Sequence, residues 1–106
     1  MSVNTSSTAR AASYRVLDAM DAPHKGRILR VRLQSGEAPP IKSLKGARFR
    51  AVAPDGRSCY VRVTGFALFG GKSSNERWIR TGRADLQVEE EGEGGPVGLR
   101  WQLTRA

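Results

Sequence analysis

Cysteine and histidine are nearly absent from this chain. The single Cys59 excludes an internal disulfide, and the single His24, next to Pro23 in a linker, has no second His or Cys with which to hold a metal. One His, one Cys and no paired carboxylates in a plausible cleft leave few candidates for acid–base or nucleophilic catalysis, so neither an enzyme nor a cofactor is expected. Long hydrophobic runs are missing too. No window approaches a membrane span, and no basic segment precedes an apolar run near Met1, which predicts a cytoplasmic chain with no membrane partner. Acids are the third shortage.

Ten acids face eighteen lysines and arginines in 106 residues, a formal charge of +8. The imbalance is uneven along the chain. Residues 26–83 carry thirteen basic residues against three acids (+10), residues 84–106 two against five (−3), and residues 1–25 come to +1. A central segment of that charge favours polyanionic partners, with RNA or a ribonucleoprotein ahead of an acidic protein surface. The length permits one domain with a small core.

The organising stretch runs from Cys59 to Gly71 and is rich in β-branched and aromatic residues. Its apolar residues occupy odd positions through Val63 and even positions at Phe66 and Leu68. One extra residue in a strand shifts side-chain parity by one. A bulge at Gly65 therefore keeps Cys59, Val61, Val63, Phe66 and Leu68 on the buried face, with Tyr60, Arg62 and Thr64 outside. A long strand bent at a glycine curls a small sheet into a barrel.

Ahead of it, residues 1–8 are Ser/Thr-rich, and Thr8 can cap a short helix over 9–22 carrying Tyr14, Val16, Leu17 and Met20, stopped by Pro23. The expected division is a tail with a short helix over 1–25 and a barrel over 26–106. The first strand places Leu29, Val31 and Leu33 on one face and Ile28, Arg30 and Arg32 on the other. Pro39-Pro40 forms an extended connection, and Ile41 to Gly46 returns the chain to the sheet. Residues 47–53 alternate, with Phe49 inside and Arg48 and Arg50 outside, before the turn Pro54-Asp55-Gly56-Arg57. The expected register pairs Phe49 with Val63, Ala51 with Val61 and Arg50 with Arg62. Trp78 and Ile79 cap one end of the barrel. Ala84, Leu86 and Val88 line another strand, residues 89–95 form an acidic, glycine-rich turn, and Val97, Leu99, Trp101 and Leu103 line the closing strand. The fold class is all-β: a small antiparallel β-barrel of about six to seven strands with a short N-terminal helix or tail.

This arrangement gathers Arg30, Arg32, Arg48, Arg50 and Arg62 on one outer surface, with Tyr60 beside them as a stacking platform for a base. Arginine's planar fork suits bidentate phosphate contacts, and Lys72, Arg77, Arg80 and Arg83 supply secondary ones. Gly71-Lys72-Ser73 is not a nucleotide-hydrolysing P-loop, because Phe66 stands where the motif needs glycine. Nor is there an R-x-x-x-R pair followed by [DN]-x-S-x-x-G, which weakens a cyclic-dinucleotide barrel of the PilZ type.

The run Gly26-Arg27-Ile28-Leu29-Arg30-Val31-Arg32-Leu33-Gln34-Ser35-Gly36, then residues 41–46, Val63-Thr64-Gly65-Phe66 and Gly95-Pro96-Val97-Gly98-Leu99, resembles the domain II β-barrel of translational GTPases over residues 26–104. Val31 stands in place of that family's inner glycine, Pro39-Pro40 lengthens the first connection, and Gly46-Ala47 lacks the usual acid. The resemblance implies a translation-factor-like barrel standing without a GTPase domain, non-catalytic, in contact with ribosomal RNA, the tRNA acceptor end or neighbouring protein. The function expected is a basic module that binds RNA or a ribonucleoprotein. The alternative is a protein-interaction adaptor that recruits a partner through its N-terminal segment or an exposed strand edge.

Overall fold

A computed structural model describes residues 12–23, 25–66, 78 and 80–106. Six strands, β1 (Ser13–Asp21), β2 (Arg27–Ser35), β3 (Arg48–Val52), β4 (Ser58–Phe66), β5 (Arg83–Glu91) and β6 (Gln102–Arg105), close into an antiparallel barrel in the order β1-β2-β5-β4-β3-β6. Inward residues of every strand fill its centre: Tyr14, Val16, Leu29, Val31, Phe49, Ala51, Val61, Val63, Leu86, Val88 and Leu103 are all at most 2 % exposed. The lone thiol, Cys59, is part of this core.

The expected helix over 9–22 is corrected where the chain is described: Ser13–Asp21 is a strand, and the barrel begins with it rather than at Gly26. Tyr14 and Val16 face the core while Arg15 faces out, which is strand alternation. A register shift between Val16 and Asp18 leaves Leu17 as an extra residue. That bulge produces the spacing that imitates a helical stripe, and two members of the stripe, Leu17 and Met20, are 36 % and 38 % exposed. Tyr14 packs edge-on against Phe49 at 5.6 Å and lies 5.8 Å from Trp78. Trp78 is fully buried, as expected of a cap, and its indole N–H donates to the Pro39 carbonyl at 2.6 Å. Ile79 lies outside the described residues.

The central hairpin has the expected faces but a shorter connection. Phe49 pairs with Val61, Ala51 with Cys59 and Arg48 with Arg62, a register two residues tighter than expected. The Ala53 N–H donates to the Arg57 carbonyl at 2.7 Å and the Gly56 N–H to the Ala53 carbonyl at 3.0 Å, closing the turn around Pro54-Asp55-Gly56. Gly56 takes φ 98° there. A slip of two preserves side-chain parity, so the inner face survives the correction. The bulge in β4 is present: Val63 pairs with Val88 and Gly65 with Gln87, leaving Thr64 extra and turning Phe66 toward the core. Leu68 lies outside the described residues.

Residues 41–46 return the chain to the sheet as expected, through a 3₁₀ turn, Ile41–Leu44, whose Ile41 and Leu44 are buried, and the Gly46 N–H then donates to the Val63 carbonyl at 2.8 Å. Two further expectations are corrected. Leu99 is 59 % exposed because the chain turns at residues 98–101 before β6 starts; Val97, Trp101 and Leu103 are buried as expected. Glu89, Glu90 and Glu91 belong to β5, and the turn starts only at Gly92. Ile28, assigned to the outer face, is nonetheless 8 % exposed.

Gly26 and Gly56 separate two demands on a turn glycine. Both have positive φ, 83° and 98°, but a Cβ on Gly26 would overlap the Val88 carbonyl oxygen, whereas one on Gly56 would meet nothing within 4 Å. Gly56→Ala is expected to cost about 1 kcal/mol, the strain of a left-handed alanine. Gly26→Ala is expected to cost about 3 kcal/mol, since backbone must also move. Urea unfolding of the two variants checks the order.

Candidate nucleic-acid interface

Strand β5 lies between β2 and β4, so the five arginines expected on one surface are divided. Arg30 and Arg32 stand on β2, on one side of β5. Arg62 on β4 and Arg48 and Arg50 on β3 stand on the other. All five are exposed, but the acids of β5 stand among them. The sequence assigned residues 89–91 to a solvated turn; the fold makes them partners of the basic wall.

On the β3–β4 side, Arg48 and Arg62 sit directly opposite one another. Two like charges in that position repel. Glu91 reaches between them: one carboxylate oxygen accepts from Arg48 Nε at 2.9 Å and the other from Arg62 Nε at 3.3 Å. Its carboxyl is held below the usual glutamate range, first by the hydrogen bond from Arg48, against partial desolvation, and further by that from Arg62. Tyr60 is less available than expected. Arg48 lies over its ring at 4.0 Å from the centroid, so one face already carries a cation. Arg50 stands beside this group, exposed, with no side-chain partner among the described residues.

Across β5, Arg30 donates from Nε to Asp85 at 2.9 Å, an interaction that raises the arginine's pKa further. Lys25 approaches Glu89 at 3.5 Å. Exposed pairs of this kind contribute little to stability one by one. Their effect is to cancel charge: Arg30, Arg48 and Arg62 each have a carboxylate within hydrogen-bonding distance. Arg32 and Arg83, by contrast, face one another across β2 and β5 with no carboxylate on either side chain among the described residues. Arg80 is exposed just ahead of β5. Lys72 and Arg77 lie outside the described residues.

Sequence reasoning missed Arg15. Placed on a helix, it had no relation to the barrel; on β1 it faces outward and pairs with Arg32. The signal available was its position between two residues that alternate as a strand, Tyr14 and Val16.

Comparison with family models, with curated proteins and with solved structures gives no match in any of the three. What the wall can do rests on its chemistry. Among the described residues no group of three or more His, Cys, Asp or Glu side chains comes together as a metal site, and no helix is long and apolar enough to cross a membrane.

The Glu91 bridge gives a pH signature. A carboxyl whose folded pKa is depressed adds stability above its unfolded value, about 4.3, and loses it as pH falls through the folded value. Glu91→Gln is therefore expected to lower the melting temperature at pH 7, and the gap to the parent protein should close as pH falls from 5 to 3. Thermal unfolding followed by circular dichroism over that range measures it.

Proposed function

We propose that this chain is a non-catalytic β-barrel module that binds RNA or a ribonucleoprotein through arginines on its outer wall. The observation that carries this reading is a residue of uncompensated positive charge. The chain has a net charge of +8, and after β5 has neutralised Arg30, Arg48 and Arg62, exposed guanidiniums at Arg32, Arg50 and Arg83 still have no acid among the described residues. Phosphate is the anion that a planar, permanently charged fork matches best.

A closed six-stranded antiparallel barrel is compatible with the resemblance to domain II of translational GTPases. That likeness supports a translation-related RNA or ribonucleoprotein as the partner class. An adaptor that recruits a strand is less favoured, because closure gives every strand a neighbour on each side and offers no edge open along its whole length.

Titration of a fluorescent 20-nucleotide single-stranded RNA tests the reading. Binding governed by phosphate contacts loses affinity linearly in log salt, with a slope of about 0.7 for each contact. A slope of about 2 or more is expected between 50 and 200 mM salt. The proposal fails if no RNA is retained at 50 mM.

A further inference from the structure

Three arginines form one line across three adjacent strands. Arg15 on β1 pairs with Arg32 on β2, and Arg32 pairs with Arg83 on β5. All three face outward and are exposed. With neighbouring strands about 4.8 Å apart, the line spans about 10 Å. It continues onto β6 at Gln102, opposite Arg15, so the row contains no acid. Like charges directly opposite destabilise a sheet, and here they are stacked twice in succession.

The rest of the wall handles the same conflict differently. Where Arg48 opposes Arg62, Glu91 bridges them; where Arg30 rises from β2, Asp85 receives it. The next outward-facing row holds Asp85 and Asp18, the two cross-strand partners of Arg30. Asp85 is engaged by Arg30, and Asp18 accepts the Ala19 N–H at 2.9 Å. On the other flank, Gln102 donates to Gln34 at 3.0 Å, and the Ser13 and Ser35 hydroxyls lie 2.6 Å apart. Exposed Arg80 adds a fourth cation three residues before Arg83.

Resting on the RNA-binding function proposed above, we infer that the row Arg15–Arg32–Arg83 is its phosphate-contacting surface and that it holds the sugar–phosphate backbone without reading bases. An anion bridging the guanidiniums does for this row what Glu91 does for Arg48 and Arg62. No aromatic side chain stands in the row; the exposed Tyr60 is on β4, beyond β5, with Arg48 over its ring. A surface of guanidiniums without stacking platforms contacts phosphates, which position a strand but do not specify its sequence.

Two triple variants of the full chain test the assignment: R15A/R32A/R83A, which removes the bare row, and R30A/R48A/R62A, which removes the acid-paired arginines. Each is titrated by fluorescence anisotropy with two 20-nucleotide RNAs of unrelated sequence and with polyglutamate, at 50 and 200 mM salt. The bare-row variant is expected to lose affinity at least tenfold for both RNAs and to reduce the salt slope by about 2, from three contacts at about 0.7 each. The acid-paired variant should stay within about threefold of the parent, because each of its side chains is already committed to a carboxylate. Melting temperatures give an independent readout: relief of like-charge opposition should leave the bare-row variant at least as stable as the parent. Unchanged RNA binding in the bare-row variant, with the loss appearing in the acid-paired one, overturns this assignment while leaving the RNA-binding function standing. Failure of the parent protein to bind either RNA overturns both. Polyglutamate bound as tightly as RNA overturns the nucleic-acid occupant, and a strong preference between the two RNAs overturns the absence of base reading.

Discussion

Closure of the barrel depends on a short seam. Strand β1 meets β6 at only three residue pairs, Ser13 with Thr104, Tyr14 with Leu103 and Arg15 with Gln102. Beyond them the Val16 N–H donates to the Trp101 carbonyl and the Arg100 N–H to the Val16 carbonyl, each at 2.9 Å. That seam places Tyr14 between Phe49 and Trp78 and gives β1 and β6 a partner on both sides. An open sheet would expose the backbone donors and acceptors of its two outer strands and leave its apolar face half covered. It also fixes what the outer surface can be. Arg15 stands next to Arg32 only because β1 is a strand of the barrel.

Strand β5 is the second determinant. It sits between β2 and β4 and carries Asp85, Glu89 and Glu91 outward, so it divides the arginine surface and cancels part of its charge. Glu90 goes the other way. Its carboxylate accepts the Val97 N–H at 2.7 Å and lies 3.6 Å from Arg27, near the thiol of Cys59, whose pKa is raised first by burial and then by that nearby charge. Three consecutive glutamates would be poor strand formers alone. Opposite-charge pairing across strands makes the strand conformation acceptable to them.

Much of the fold was legible because alternation has a fixed period. The inner faces of β2, β3 and β4, the Pro54-Asp55-Gly56 turn and the bulge beside Gly65 all follow from parity and from the backbone preferences of proline and glycine. Three of the misreadings have a common source in local irregularity. A bulge at Leu17 imitated helical spacing, a tight turn shortened the β3–β4 connection by two residues, and a turn at residues 98–101 turned Leu99 outward. Each is a departure from regular geometry over one to four residues, too short to leave a periodic signal.

Composition and alternation alone dictated an all-β chain of high positive charge, with arginines at outward positions of its strands, because side-chain direction in a strand depends only on position along it. Strand order decided which of those charges meet. Arg48 and Arg62 acquired Glu91, 43 and 29 residues further along the chain, Arg30 acquired Asp85, and Arg15, Arg32 and Arg83 acquired one another. Electrostatic energy depends on distance in space, and neighbours across a sheet carry no mark of one another in the order of residues.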